Sequence, residues 1–295
     1  MAISSEKPYR ILKEIKDPKF EIDRLEFYNL FILMGIRDMQ LFIIDNQEQR
    51  PVLLEDFMLA ETESLTEKID LLRKLFNDHH CLQAGFWNQV NVSFKNRKFT
   101  QVPADLFSDE MSNYFLSLNA DFDVSNDLIL NTEIDPAGLV NVFAVPNVLI
   151  DFFNQSYPRH TVKYAHQSSA LIKGAVQGKA ESHQAVIVYI DRFAMHVSAS
   201  SGSRLLFYNQ YPIKKFEDYL RFIKIAASEL NIDLKSDKIL IYGYLGDKTP
   251  HFESLKKVIN NLEFGERPNH LKFGWVFDEI ADHQYLDVFY QNQAN

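Results

Sequence analysis

At 295 residues, 46% of them hydrophobic and 13% aromatic, the chain has the material for a large core, which excludes a disordered or low-complexity polymer. A formal net charge of −9 argues against a protein whose main partner is a phosphate backbone, because that affinity comes from clustered Lys and Arg. A single cysteine, Cys81, leaves no intramolecular disulfide, and there is neither an apolar leader near the start nor a run of about 18 apolar residues, so the expectation is a soluble, cytoplasmic protein without membrane insertion.

After a polar leader to about Lys19, three strand-like runs follow: Leu25 to Met34, Met39 to Ile44 and Val52 to Met58. The joints "GIRD" and "NQEQR" carry turn-forming residues, so these runs read as an antiparallel meander. A helix over Leu65 to Asn77 is predicted from Leu65, Ile69, Leu72 and Phe76 at helical spacing. Next comes "QVNVSFKNRKFTQVP", read as a hairpin turning at Lys95-Asn96-Arg97, and then a helix from Ala104 to Leu118. "VNVFAVP" leads into a helix over Asn147 to Tyr157, and "TVKYA" into one over His166 to Val176. "VPADL" and "VPNVL" mark strand-to-helix junctions, since Pro just inside a helix start loses no hydrogen bond.

The same order returns after about Ser182. "AVIVYI", "AMHVSAS" and "RLLFYNQYPI" form a second meander, followed by a helix from Phe216 to Leu230. "KILIYGYL" then precedes a helix over His251 to Leu262, and "HLKFGWVF" precedes a C-terminal helical segment, Asp278 to Gln291. The two copies are offset by roughly 150 residues. Antiparallel meanders joined to βα units give an α/β layer architecture with mixed sheets flanked by helices. Two domains are expected, 24–180 and 181–295, with an insert in the first at about 78–127.

A meander, helix, strand, helix, strand, helix unit used twice resembles the actin-like ATPase superfamily, whose architecture is two ribonuclease H-like domains. The chain is also similar to an uncharacterised bacterial family of unknown function assigned to that fold. The resemblance implies an Asp-x-Gly hairpin in each domain, with Gly admitting backbone N–H groups to phosphate and Asp holding Mg²⁺ or its waters. In the first hairpin the glycine is Gly35, the residue two before it is Leu33, and Asp38 lies across the turn. In the second, "VYIDRFAMHV" has Asp191 without a Gly, and Tyr189 stands two residues earlier. "YGYLGD" supplies Gly243 and Gly246 where the family has a Gly-Gly pair. "HQSSALIKGA" puts His166 and Gln167 where the family's Glu and Pro stand, keeping only Ala170.

These departures point to the fold without the ATPase: a non-catalytic interaction or assembly scaffold with a protein partner, no cofactor, no catalytic residue and no metal site. "HHC", His79 to Cys81, has metal-type side chains but no second pair at ligand spacing. No GxGxxG, P-loop or nucleophile elbow is present. The alternative is a divergent nucleotide binder that holds ATP and Mg²⁺ around Gly35, Asp38, Asp191 and Gly243. The C-terminal Tyr285, Phe289 and Tyr290 are expected to pack on the second sheet.

Overall fold

The computed structural model describes residues 7–177 and 185–293, so the expected boundary at 180/181 lies outside the described residues. The leader is not plain coil. β1 (Tyr9–Lys16) forms an edge strand, antiparallel to β4 (Arg50–Leu59), with Arg10, Ile11, Leu12, Glu14 and Lys16 exposed and Ile15 buried. A short 3-10 helix (Ile22–Phe27) takes the first part of the expected first strand, and β2 (Tyr28–Met34) and β3 (Asp38–Asp45) complete the meander.

Every residue of β2 and β3 is buried, because both faces of this sheet are covered. Leu30, Ile32 and Met34 join a core with α1 (Leu65–Asp78), whose N-terminus is capped by Ser64 accepting from Glu67 N–H. The alternate residues Phe31 and Leu33 point to the opposite side.

Past the short α2 (His80–Gln83), the expected hairpin is replaced by two strands in different sheets. β5 (Gln89–Phe94) runs parallel to β2 and extends the main sheet, while β6 (Phe99–Pro103) crosses into a separate sheet. Asn96, in the joint, donates to Ala144 O at 2.9 Å and ties the crossing chain to its new partner. The helix expected over Ala104 to Leu118 breaks into two 3-10 turns and α3 (Ser112–Ser117). β7 (Asp127–Ile134) and β8 (Leu139–Pro146) complete a three-stranded sheet in the order β6-β8-β7. The extra material of the first half is therefore β6 to β8, and β5, inside the range 78–127, belongs to the main sheet. α4 (Asn147–Ser156), β9 (Lys163–His166) and α5 (Gln167–Gln177) follow as expected. The first sheet has the order β1-β4-β3-β2-β5-β9.

The second half repeats the order. β10 (Ala185–Ile190), β11 (Ala194–Ser201) and β12 (Arg204–Pro212) form the meander, then come α6 (Phe216–Leu230) and β13 (Ile239–Gly243). The next helix, α7 (Pro250–Lys256), is shorter than expected, since the chain must return as β14 (Leu262–Phe264) to close the sheet β12-β11-β10-β13-β14. Apart from β1, both sheets share one strand order, with the parallel strand pairs in equivalent places.

The expected last strand and long C-terminal helix do not form. Residues 270–277 hold only a 3-10 turn, Trp275–Glu279, and the helix is α8 (Leu286–Phe289). The reason is packing: Leu271, Val276, Phe277, Tyr285 and Phe289 cover Phe31, Leu33 and Phe42 on the first sheet. Tyr285 and Phe289 thus sit on the first sheet, not the second, while Tyr290 packs with Tyr189 and Tyr242 of the second.

Candidate functional site

The tips of the two meanders meet around one buried group of charges. Gly35, Ile36 and Arg37 turn the chain from β2 to β3, with Gly35 N–H donating to Asp38 O at 2.9 Å. Its φ lies outside the left-handed region, so the backbone angle is not what requires glycine here. A Cβ built on Gly35 would stand 1.9 Å from Asp38 Oδ1, so the glycine makes room for the carboxylate. Next to this turn, Lys95 continues the β5 ladder, its N–H donating to Met34 O at 2.8 Å, and its side chain reaches inward.

The Lys95 ammonium lies 2.8 Å from Asp38, 3.3 Å from Asp191 and 3.8 Å from Asp287. Burial alone would lower its pKa, but Asp191, Asp38 and Asp287 outweigh that and raise it, so Lys95 stays charged. Arg192, in the second turn, forks onto Asp56 of β4, reaches Asp38 at 3.4 Å, and lies over the Tyr244 ring. Gln40 donates to Asp56 at 2.8 Å and Asp38 at 3.2 Å; Gln167, at the start of α5, donates to Asp191 at 2.8 Å and Asp287 at 2.7 Å. The Tyr189 hydroxyl donates to Asp287, and that of Tyr285 to Asp56 at 2.9 Å.

Four carboxylates thus face two cations, and Gln40, Gln167, Tyr189 and Tyr285 add neutral donors to them. Burial, reinforced by Asp191, raises the pKa of Asp287 despite the opposing pull of Lys95. Asp38, Asp56, Asp191 and Asp287 are all buried, and the cluster joins β3, β4, β5, the second turn, α5 and α8.

The four sequence-selected residues therefore lie near one another. Asp38 and Asp191 share Lys95, and Gly35 abuts Asp38. Gly243 has φ 95°, and an added Cβ would stand 2.0 Å from Ile190 O, just before Asp191. The backbone donors of three of them are already used: Gly35 N–H by Asp38 O, Gly243 N–H by His283 O at 2.8 Å, and Asp191 N–H by Ala194 O at 2.9 Å. His79, of the "HHC" stretch, pairs with Glu55 at 2.7 Å and accepts from Leu82 N–H.

Lys95, Arg192, Asp56 and Asp287 were missed as site residues. Their signal in the sequence is a charge set in an apolar run, as in "VLLEDFML" and "YLDVFY". His166, expected at the connecting segment, is buried, with Nδ1 2.7 Å from Ser168 Oγ and Nε2 3.2 Å from Asn96 O.

Solved structures share the fold of this chain. A protein with an actin-like ATPase fold and unknown function from Bacteroides thetaiotaomicron VPI-5482 superposes with a TM-score of 0.78 at 17% identity, covering 94% of this chain and 99% of that one. A PilM-PilN type IV pilus biogenesis complex gives a TM-score of 0.60 at 10% identity, covering 92% and 99%. These likenesses establish the actin-like fold. No curated protein matches the chain in sequence. A family model described as "Protein of unknown function (DUF3822)" matches residues 17–262, and the chain belongs to that family.

Proposed function

We propose that this chain is a non-catalytic member of the actin-like fold, a cytoplasmic scaffold that binds or assembles a protein partner. The observation that carries the reading is the Lys95 ammonium at the point where Asp38, Asp191 and Asp287 converge. In the nucleotide-binding arrangement that the fold resemblance implies, the hairpin aspartates serve a metal ion and glycine N–H groups serve phosphates. Here the aspartates neutralise a lysine and an arginine of the chain itself, and the glycine N–H groups bond to its own carbonyls. A divalent ion entering this point would meet a buried ammonium and would strand it without partners, which is costly.

The PilM match supports the second half of the reading, since that protein was solved in a complex with PilN. Among the described residues no helix is long and apolar enough to cross a membrane. The test is a thermal-shift titration of the whole protein with ATP, ADP and Mg²⁺. A nucleotide at 100 times its Kd adds about 2.7 kcal/mol of stability. A flat response is expected; saturable stabilisation that is lost in Asp191→Ala would overturn the proposal in favour of ATP held around Gly35, Asp38, Asp191 and Gly243. Co-purification of the tagged protein from its native cells should also bring down a stoichiometric protein partner.

A further inference from the structure

A second feature lies on the other side of the first turn. A cavity of about 320 Å³ opens between the Gly35–Ile36 turn, the first turn of α1, the end of β5 and the junction of β8 with α4. That volume is at the small end of the range of ligand pockets, roughly 300–1,000 Å³. Its walls are largely apolar, with Phe94, Val145, Leu149 and Leu65 among them. Ile36 stands at its edge, 76% exposed despite its hydrocarbon side chain.

Lys68 of α1 lines this cavity and is only 6% exposed. Its ammonium donates to two backbone carbonyls, Ile36 O at 2.6 Å and Gly35 O at 3.3 Å. An ammonium carries three hydrogens, so one donor remains. Among the described residues Asp38 is the carboxylate that acts on Lys68, and Asp38 is already engaged by Lys95 and Arg192. The two other lysines of the lining are also committed, Lys95 to the buried aspartates and Lys98 to Asp127. A buried cation without its own counter-ion is an unfavourable arrangement that an external anion would relieve. The first N–H groups of α1, at Leu65 and Thr66, have no acceptor within the helix and add positive potential at the same wall.

We propose that this cavity binds a small carboxylate on an apolar body, with Lys68 receiving the acid group and the walls around Phe94 and Leu149 receiving the hydrocarbon. The inference goes beyond the scaffold reading and does not rest on it. A phosphate is a poorer fit than a carboxylate, because the cavity offers one lysine with a single donor left and a mostly hydrocarbon lining that also includes Glu63.

Burial lowers the Lys68 pKa to about 8, against the upward pull of Asp38. A carboxylate that binds the protonated form is therefore held fully below that pH and released above it. The charged groups around Lys68 are Asp38 and Lys95 from the first sheet, Glu63 and Glu67 at the start of α1, and Lys98 beyond β5.

The experiment is calorimetric titration of the whole protein with sodium octanoate, with octanamide as the uncharged control. The expected result is one saturable octanoate site and octanamide at least about tenfold weaker, the loss of one charge-assisted hydrogen bond. Octanoate affinity should fall about tenfold per pH unit well above 8. Ile36→Asp, at an exposed position, should keep the melting temperature and weaken octanoate at least about tenfold through like-charge repulsion. Lys68→Met should abolish the preference for the acid over the amide. Absence of a saturable octanoate site, equal binding of octanamide, or unchanged octanoate binding in Ile36→Asp would each overturn the proposal. If Lys68→Met does not fold, the pH profile and Ile36→Asp still decide it.

Discussion

Arg192 grips Asp56 across 136 positions of sequence, with Nη1 3.0 Å from Oδ1 and Nη2 on Oδ2. One residue belongs to the turn of the second meander, the other to a strand of the first. The contact ties the two halves together at a point where both side chains are withdrawn from water.

Removing one member of such a pair leaves the other charged and buried. Arg192→Ala should therefore lower stability by about 3–5 kcal/mol, and Arg192→Lys should recover only part of that, because an ammonium lacks the planar fork. Chemical denaturation of the two variants measures both effects. Replacing both Arg192 and Asp56 by similarly sized apolar residues should cost less than Arg192→Ala alone; equal or greater loss would show that the fork is not the dominant interaction.

At Gly35 the structure makes a sharper prediction than the turn does. The obstacle to a side chain is Asp38 Oδ1, 1.9 Å from the position of a Cβ, rather than the backbone angle. Gly35→Ala should destabilise by about 1–3 kcal/mol through overpacking. In an Asp38→Ala background the same substitution should cost much less. Additive losses in the double variant would reassign the role of this glycine to the backbone.

Acid should unfold the protein through two buried imidazoles. Burial pushes the pKa of His166 down to about 3, with a smaller push from His196; burial and then Lys95 push His196 down to about 3. His196 Nδ1 meets the Tyr208 hydroxyl at 2.8 Å, while Nε2 is buried without a hydrogen-bond partner among the described residues, which suits a neutral ring. Both folded values lie below the unfolded value near 6.5, so this stability is fully present above 6.5 and is lost as pH falls toward 3. Each imidazole adds a slope of about 1.4 kcal/mol per pH unit inside that window. Denaturation curves between pH 4 and 6.5 should show it, and His196→Gln should remove one proton's share. An unchanged slope in that variant would mean that His196 is not among the groups responsible.

Much of the architecture was legible because its signals are local. Short apolar runs bounded by turn residues, helical spacing in α1 and α6, and Pro at the β8–α4 junction act within a few residues, and they survive in the structure. The repeated order of the halves was readable for the same reason, and with it the actin-like fold. The failures came where long-range pairing overrode local turns. Lys95-Asn96-Arg97 reads as a hairpin tip, yet β5 finds more partners between β2 and β9 than it would against β6. The C-terminal residues read as helix and strand, yet their aromatics are held by the open face of the first sheet.

The sequence by itself determined the pattern of layers, the duplication and the departure of each hairpin from the Asp-x-Gly form, since all three are written in residue order. Only the tertiary structure decided that Lys95, Arg192 and four aspartates from distant segments share one buried cluster. Charge pairing depends on which side chains converge in space, and Asp38, Asp191 and Asp287 converge on Lys95 only once both sheets and the C-terminal segment are packed.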